Sequence, residues 1–576
     1  MKIYLENIEK YRAEALRLKK ILNRISLLRL LIFILFSILL IALFSKKLFT
    51  PFFIIFPIFI LSFAIAIKRY NKIAYLRRQA SFLENINEAE VLREQCQLET
   101  FDTGKEFINQ DHPYTSDLDI FGPHSIFQLI NRTTTESGSL LLSAWLSAPA
   151  PNPEIAERQA AIKELSPKLV WRQDFQAAGM HFQNKKSDYR HLINWVEEPL
   201  FLLNYRQVYI IMATIVLSIL SSLGLCLFIA NLDSGDRIFY LSFLILILSI
   251  NYLILKKLRA TADSIVETAQ TNIDICRGYQ TLIHKIEAES FQSKKLSQLK
   301  TLLSQNDYSA FQEIKKLCQL LDFSQQRGVN KIKMPIKGNA FYSLLNSFLL
   351  LDIYLVLGVE KWKRKNKAFL KSWTEAVSEF EVINSFAGFC YSNPSYTFPV
   401  ISEANQAIHF EALGHPLINP NNRICNNFDT EGPGQVVMIT GSNMAGKSTF
   451  LRTVGVNFVL TLAGAPCCAT KARLPNLQLF TSMRTQDNLR TGVSSFFAEL
   501  SRIERMLKLI KDKQNVFFLL DEMFKGTNSE DRHRGGFSLI NQLSQLQIAG
   551  IIATHDIELA KLAGSKQLVD NYSFDS

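Results

Sequence analysis

Apolar residues are not spread evenly along this chain. They crowd into four runs, residues 25–44, 48–67, 208–230 and 238–255, and Arg29 is the one charge inside them. A helix rises ~1.5 Å per residue, so about 20 apolar residues cross the hydrocarbon layer of a bilayer. Each run therefore predicts a membrane-spanning helix. The links at 45–47 and 231–237 are short, so the spans pair into two helical hairpins. A secretory signal peptide does not fit, because a long charged segment precedes the first run and a second run follows it at once. Four runs this apolar also fit poorly as buried helices of a soluble core.

Outside the runs the pattern changes twice. Residues 2–24 place Tyr4, Ile8, Tyr11, Leu18 and Ile21 at helical spacing. Residues 68–98 and 257–320 are rich in Ala, Leu, Glu, Lys and Gln with few breakers, which predicts long helices continuing the spans as stalks. Beyond a loop at 419–427, short β-branched runs at 435–440, 516–520 and 550–554 alternate with helical stretches. That alternation predicts a parallel sheet covered by helices. The expected fold is multidomain, α plus α/β. An N-terminal helix, the first hairpin and a cytoplasmic helix occupy 1–100. A helical region interrupted by the second hairpin occupies 101–400, and an α/β domain occupies 401–576.

Charge sets the orientation. Lys10, Arg12, Arg17, Lys19, Lys20 and Arg24 precede the first span; Lys68, Arg69, Lys72, Arg77 and Arg78 follow the second; Lys256, Lys257 and Arg259 follow the fourth. The outer links hold only Lys46, Lys47 and Arg237 against Asp233 and Asp236. The positive-inside bias puts both termini and residues 68–207 in the cytoplasm of a multi-pass cell (inner) membrane protein. Net charge is +12, which suits nucleic acid or an anionic membrane surface. The eight cysteines show no C-x-x-C spacing and read as reduced, buried residues rather than a disulfide frame or zinc site.

The candidate chemistry lies in the last quarter. Residues 441–448 read GSNMAGKS, a G-x-x-x-x-G-K-[ST] phosphate loop between a strand and the helical stretch 449–461. Gly441, Ser442, Asn443, Met444, Ala445, Gly446, Lys447, Ser448 and Thr449 are the expected nucleotide-binding residues. Their backbone N–H groups and the helix N-terminus approach phosphate oxygens, Lys447 reaches the β- and γ-phosphates, and Ser448 holds Mg²⁺. The run 516–520 ends in Asp521 and Glu522. Asp521 is expected in the Mg²⁺ shell and Glu522 as the base that polarises the attacking water. His555, behind the run 550–554, is the candidate γ-phosphate sensor. Two adjacent acids at a strand end are the hydrolytic pattern of ABC-type ATPases.

Taken in order, these motifs resemble the MutS family of DNA mismatch repair ATPases. TGSNMAGKST at 440–449 is similar to its phosphate loop, DEMFKGTNS at 521–529 to its acidic strand end, and ATHD at 553–556 to its histidine switch. GVSSFFAEL at 492–500 is similar to its signature segment, which implies that Ser494 completes the partner subunit's ATP site. Upstream, LDIFGPHSIFQLINRTTT at 118–135, GSLLLSAWL at 138–146 and Glu157-Arg158-Gln159 resemble the start of the family's helical core, and EALGHP at 411–416 resembles the linker to its ATPase. The likeness covers 116–200 and 330–576. It implies a homodimer with two composite sites for ATP and Mg²⁺, hydrolysis moving helical levers, and a core that binds mismatched, distorted or branched DNA.

The departures are equally specific. No mismatch-reading domain precedes Leu118, and the letters of the aromatic-x-Glu wedge, Phe497-Ala498-Glu499, fall inside the signature segment. A membrane hairpin interrupts the helical core where the family has a clamp, and the family continues with further strand and helix past Ser576, so the resemblance implies a shortened C-terminus. The adenine-stacking aromatic expected at 422–426 is replaced by Arg423 or Ile424. The expectation is a membrane-anchored ATPase that binds DNA. Two alternatives stand beside it: an ABC-type transporter, which lacks an LSGGQ signature here, and a membrane-tethered ATP-driven switch acting on protein partners.

Overall fold

The computed structural model describes the chain except residues 47, 183–187, 204–206, 234, 306–307, 328–338, 403–406, 443–444, 484–494, 513–514, 525–527, 547, 566–568 and 575–576. Helices α1 (Lys2–Ser45) and α2 (Phe49–Glu94) form an antiparallel pair in which each apolar span runs into its stalk without a break. The stalks are zipped by polar side chains: Arg12 bridges Glu84 and Glu88 at 2.6 and 2.9 Å, and Asn7 donates to Asn87. Within the span Arg29 lies against the Tyr70 ring, 4.8 Å from its centroid.

The helical core follows: α3 (Ile126–Ile130), α4 (Glu136–Ser147), α5 (Asn152–Leu165), α6 (Leu169–Met180) and α7 (Asp188–Glu197), then the second hairpin, α8 (Gln207–Ala230) and α9 (Arg237–Ala288). The four span-bearing helices are long and apolar enough to cross a membrane, and only 0, 6, 17 and 17 % of their most apolar windows is buried. Most side chains of those windows therefore face outward from the chain.

After α9 come α10 (Lys294–Leu303), the short hairpin β1 (Ser304–Gln305) and β2 (Tyr308–Ser309), α11 (Ala310–Gln325), α12 (Ala340–Leu349) and α13 (Leu351–Ser392). Within the stretch 257–320, whose composition predicts long helices, the helix breaks after Ala288. Phe291 inserts between the Trp171 and Phe380 rings, and the Glu164 carboxylate accepts the Gln292 and Ser293 N–H groups at 2.8 and 2.7 Å, satisfying donors a new helix start leaves open. Helix α13 is the axis of the core: Trp373, Phe380, Phe386 and Phe389 are all fully buried.

Two buried carboxylates tie α13 and the segment before α4 to their neighbours. Glu381 of α13 accepts hydrogen bonds from the backbone and hydroxyl groups of Thr134 and Thr135, which explains the threonine run before α4. Glu90 of α2 takes the Arg132 guanidinium through two bonds of 2.8 and 2.7 Å and Arg93 at 2.9 Å. Burial alone would raise the Glu90 pKa; the Arg132 and Arg93 charges outweigh it and hold it at about 2. Ser392, at the end of α13, touches both Glu90 and the Tyr4 hydroxyl of α1. The first hairpin is thus bonded to the C-terminal end of α13.

Two sheets complete the fold. A small one orders β3 (Val400–Ser402), β7 (Lys471–Pro475), β4 (Ile408–Leu413) and β5 (Asn426–Thr430) as β3-β7-β4-β5. The larger contains β6 (Val436–Gly441), β8 (Gln478–Ser482), β9 (Val516–Asp521), β10 (Ala549–Thr554) and β11 (Asp570–Phe574) in the order β11-β6-β10-β9-β8, every pair parallel. Helices α14 (Lys447–Leu462), α15 (Ser495–Lys511), α16 (Ser529–Gln545) and α17 (Ile557–Ser565) connect these strands. The near-continuous apolar strands fit a sheet covered on both faces.

Candidate functional site

The parallel register places three strand ends at one edge. Thr440 of β6 pairs with Thr554 of β10, and Ala553 of β10 pairs with Asp521 of β9. The phosphate loop, the two acids and His555 therefore emerge side by side, at the carboxyl ends of a parallel sheet, where ligands of such folds bind.

The loop turns into α14 at Gly446, whose φ of +92° is a left-handed conformation that favours glycine. Lys447 is buried, and its ammonium donates to the Gly441 and Ser442 carbonyls at 2.7 and 2.9 Å. Those bonds hold the cation over the loop. Ser448 is half-buried on the first turn of α14, Thr449 and Ser442 are exposed, and Ala445 is half-buried; Asn443 and Met444 lie outside the described residues. Helix α14 is itself wedged in place. Leu118 packs so closely on Gly455 that a side chain there would meet it at 2.7 Å, and Asn457 donates to the Gly414 carbonyl at 3.0 Å.

Asp521 ends β9, and its Oδ1 is buried with no hydrogen-bond partner among the described residues. A buried carboxylate oxygen left unsatisfied in this way fits a divalent cation. Glu522 follows with φ +55°; its N–H donates to the Ala553 carbonyl at 2.8 Å and its carboxylate lies 3.3 Å from His555 Nδ1. The acid and the histidine assigned to different steps from sequence thus form one contact. Next door, Asp556 accepts the Leu559 N–H at 2.9 Å and faces His533 at 3.3 Å. Burial tends to raise its pKa, and the bonds from Leu559 and His533 bring it below the usual carboxylate range.

Ser494 falls outside the described residues, but the helix behind it, α15, is anchored at two points. Buried Glu499 accepts the N–H of Phe524, two residues past Glu522. Arg502 donates to the Thr481 carbonyl at 2.8 Å and to buried Asp117 at 3.0 Å; Asp117 also accepts from Thr481 Oγ1 at 2.7 Å. The signature helix therefore contacts both the acidic loop and the first segment of the helical core. Motif spacing does not reveal the roles of Arg502 and Asp117, which become partners only across 385 residues of chain. Of the two residues offered for adenine, Arg423 turns inward, donating to the Ile418 carbonyl at 2.7 Å and lying over the Tyr396 ring, whereas Ile424 is 82 % exposed. His415 of the linker is pushed down to about 4 by burial, so it stays neutral as a packing residue.

Residues 437–576 match the family described as MutS domain V. The DNA mismatch repair protein MutS of Thermotoga petrophila is 31 % identical over 204 residues, which is 34 % of this chain and 25 % of that protein. The MutS of Halalkalibacterium halodurans is 30 % identical over 230 residues, 39 % of this chain and 26 % of its own length. That of Clostridium perfringens is 31 % identical over 217 residues, 35 % and 23 %. The similarity thus spans about a quarter of each relative. Residues 437–576 are thus similar to MutS domain V, and the likeness to whole MutS proteins is confined to this C-terminal part of the chain.

Proposed function

We propose that the protein is a membrane-anchored, Mg²⁺-dependent ATPase whose ABC-type domains pair as a homodimer. The observation that carries this reading is the meeting of Lys447, Asp521 and the Glu522–His555 pair at one edge of a parallel sheet. Lys447 exchanges its two loop carbonyls for β- and γ-phosphate oxygens. Ser448 and the orphaned Asp521 oxygen would hold Mg²⁺, which would supply positive charge against the phosphates. Glu522 accepts a proton from the attacking water while His555 orients the carboxylate and senses the γ-phosphate. Ser494 of one protomer meets the nucleotide on the other. The two apolar hairpins anchor the chain, with both termini and the ATPase on the cytoplasmic side by the basic flanks.

Glu522→Gln tests the chemistry: hydrolysis falls by about 10²-fold or more while ATP still binds, and Lys447→Ala loses binding itself. Unchanged turnover in Glu522→Gln overturns the assignment. Release of the protein from membranes by carbonate overturns the anchor. The relatives' role in DNA mismatch repair and the +12 charge support a further element, ATP-dependent DNA binding by the helical core. Filter binding of the solubilised protein to mismatched and branched duplexes, with and without ATP, tests it; no salt-dependent retention of any duplex removes DNA as a ligand.

A further inference from the structure

Helix α12 is too short to span a bilayer and was read from sequence as part of the helical core. Its surroundings differ from those of the other core helices. It meets α13 at Leu350, φ +54°, and the two helices are bent by 84°. It packs across the second hairpin: Ser221 of α8 donates to the Phe348 carbonyl at 2.8 Å, and Asn251 of α9 donates to the Ser347 carbonyl at 2.9 Å. Ser221 and Asn251 are fully buried; Ser221 lies in the middle of the apolar run 208–230, and Asn251 lies about one helical turn inside the end of the run 238–255.

Polar side chains at that depth are costly unless another group satisfies them. Here backbone carbonyls near the C-terminal end of α12 accept from the Asn251 amide N–H and from the Ser221 hydroxyl, which also reaches the Ser218 carbonyl at 3.1 Å; Asn251 Oδ1 has no partner among the described residues. That helix must then share the environment of the hairpin. Its other face agrees: Phe341 and Leu344 are 67 and 58 % exposed, an apolar surface continuous with that of the hairpin it sits on. A charged cluster lies at the elbow. There Arg327 pairs with Asp352 at 3.3 Å and with Asp263 at 2.9 Å, and Asp263 lies beyond the end of the fourth apolar run. Tyr342 and Asn346 bind Asp352 from α12, closing the polar cluster against the membrane side.

We infer that α12 is a membrane-embedded element, a third helix seated on the second hairpin, with Phe341 and Leu344 in contact with lipid acyl chains. Helix α13 thus starts at the bilayer and ends beside Glu90 and the first hairpin. Movement of α13 would therefore reach the second hairpin at one end and the stalk of the first hairpin at the other. This rests on reading 208–230 and 238–255 as membrane spans.

The test places the photo-crosslinking residue p-benzoylphenylalanine at Leu344 or at Phe341 in the full chain. The same residue at Leu241, on the exposed face of the fourth span, and at Leu302, on the exposed face of α10, provides the controls. The proteins are reconstituted in phosphatidylethanolamine–phosphatidylglycerol vesicles, irradiated and examined by peptide mass spectrometry. Retained ATPase activity marks a folded variant, and Phe341 offers a near-isosteric site should the Leu344 variant fail. Lipid adducts at 241, 341 and 344 but not 302 are expected. Adducts at 241 with none at 341 and 344, or protein crosslinks there to a partner or second copy, overturn the inference and leave the spans intact. No adduct at 241 overturns the spans and the inference together.

Discussion

Glu499→Ala cuts the bond between the signature helix and the loop behind the two acids. Glu499 is 6 % exposed, and its carboxylate accepts the N–H of Phe524. Glu522 and Phe524 both have positive φ, +55° and +60°. That conformation costs a non-glycine residue ~1–2 kcal/mol, so it persists only where neighbouring contacts enforce it. A hydrogen bond to a charged group contributes about 1.5–3 kcal/mol. If its loss appears wholly as a misplaced Glu522, at 1.36 kcal/mol per tenfold, kcat falls about 10- to 100-fold. Lys447 and its loop are untouched, so ATP affinity is retained. Glu499→Gln keeps a carbonyl acceptor without the charge and loses roughly half as much free energy. Single-turnover hydrolysis of labelled ATP by the solubilised protein, beside a fluorescent-nucleotide titration, separates the two quantities. A kcat for Glu499→Ala equal to that of wild type refutes the coupling, as does an equal loss of affinity, which means the whole site has collapsed.

Glu90→Ala leaves Arg132 and Arg93 buried without their carboxylate and should cost about 3–5 kcal/mol, read as a lower urea midpoint. Because the folded pKa of Glu90 is depressed to about 2 from 4.5, its stabilisation is full above pH 4.5 and is lost as pH falls toward 2; Glu90→Gln should flatten the stability profile over that window. Arg502→Ala removes a partner of buried Asp117 at a cost of about 1–3 kcal/mol, and hydrogen exchange across residues 110–118 should accelerate. Gly446→Ala forces a β-carbon into φ +92° and should weaken ATP binding about tenfold, measured by nucleotide titration, with the melting profile unchanged.

Some of this was legible without coordinates. The phosphate loop, the acid pair and His555 each follow an apolar run, and a run of that length ending in polar residues is a strand end whatever surrounds it. The four long apolar helices were legible for the same kind of reason, since length and absence of charge are properties of the chain alone. The contact between Glu522 and His555 was not, because it depends on the register in which β10 pairs with β9, setting Ala553 beside Asp521.

What the sequence by itself determined was composition over short windows: where apolar residues are dense enough for a bilayer, and where glycines, a lysine and acids stand at spacings that suit a nucleotide. Tertiary structure alone decided which of those pieces touch. A ten-residue apolar helix such as α12 has the same periodicity in a core as in a membrane, and its placement emerged only from Ser221 and Asn251 donating to its carbonyls. The break after Ala288 lacks a proline or glycine and exists because Trp171, Phe380 and Glu164 reward it. Burial, long-range pairing and the satisfaction of polar groups are properties of the surroundings, and a residue's surroundings are not written beside it in the chain.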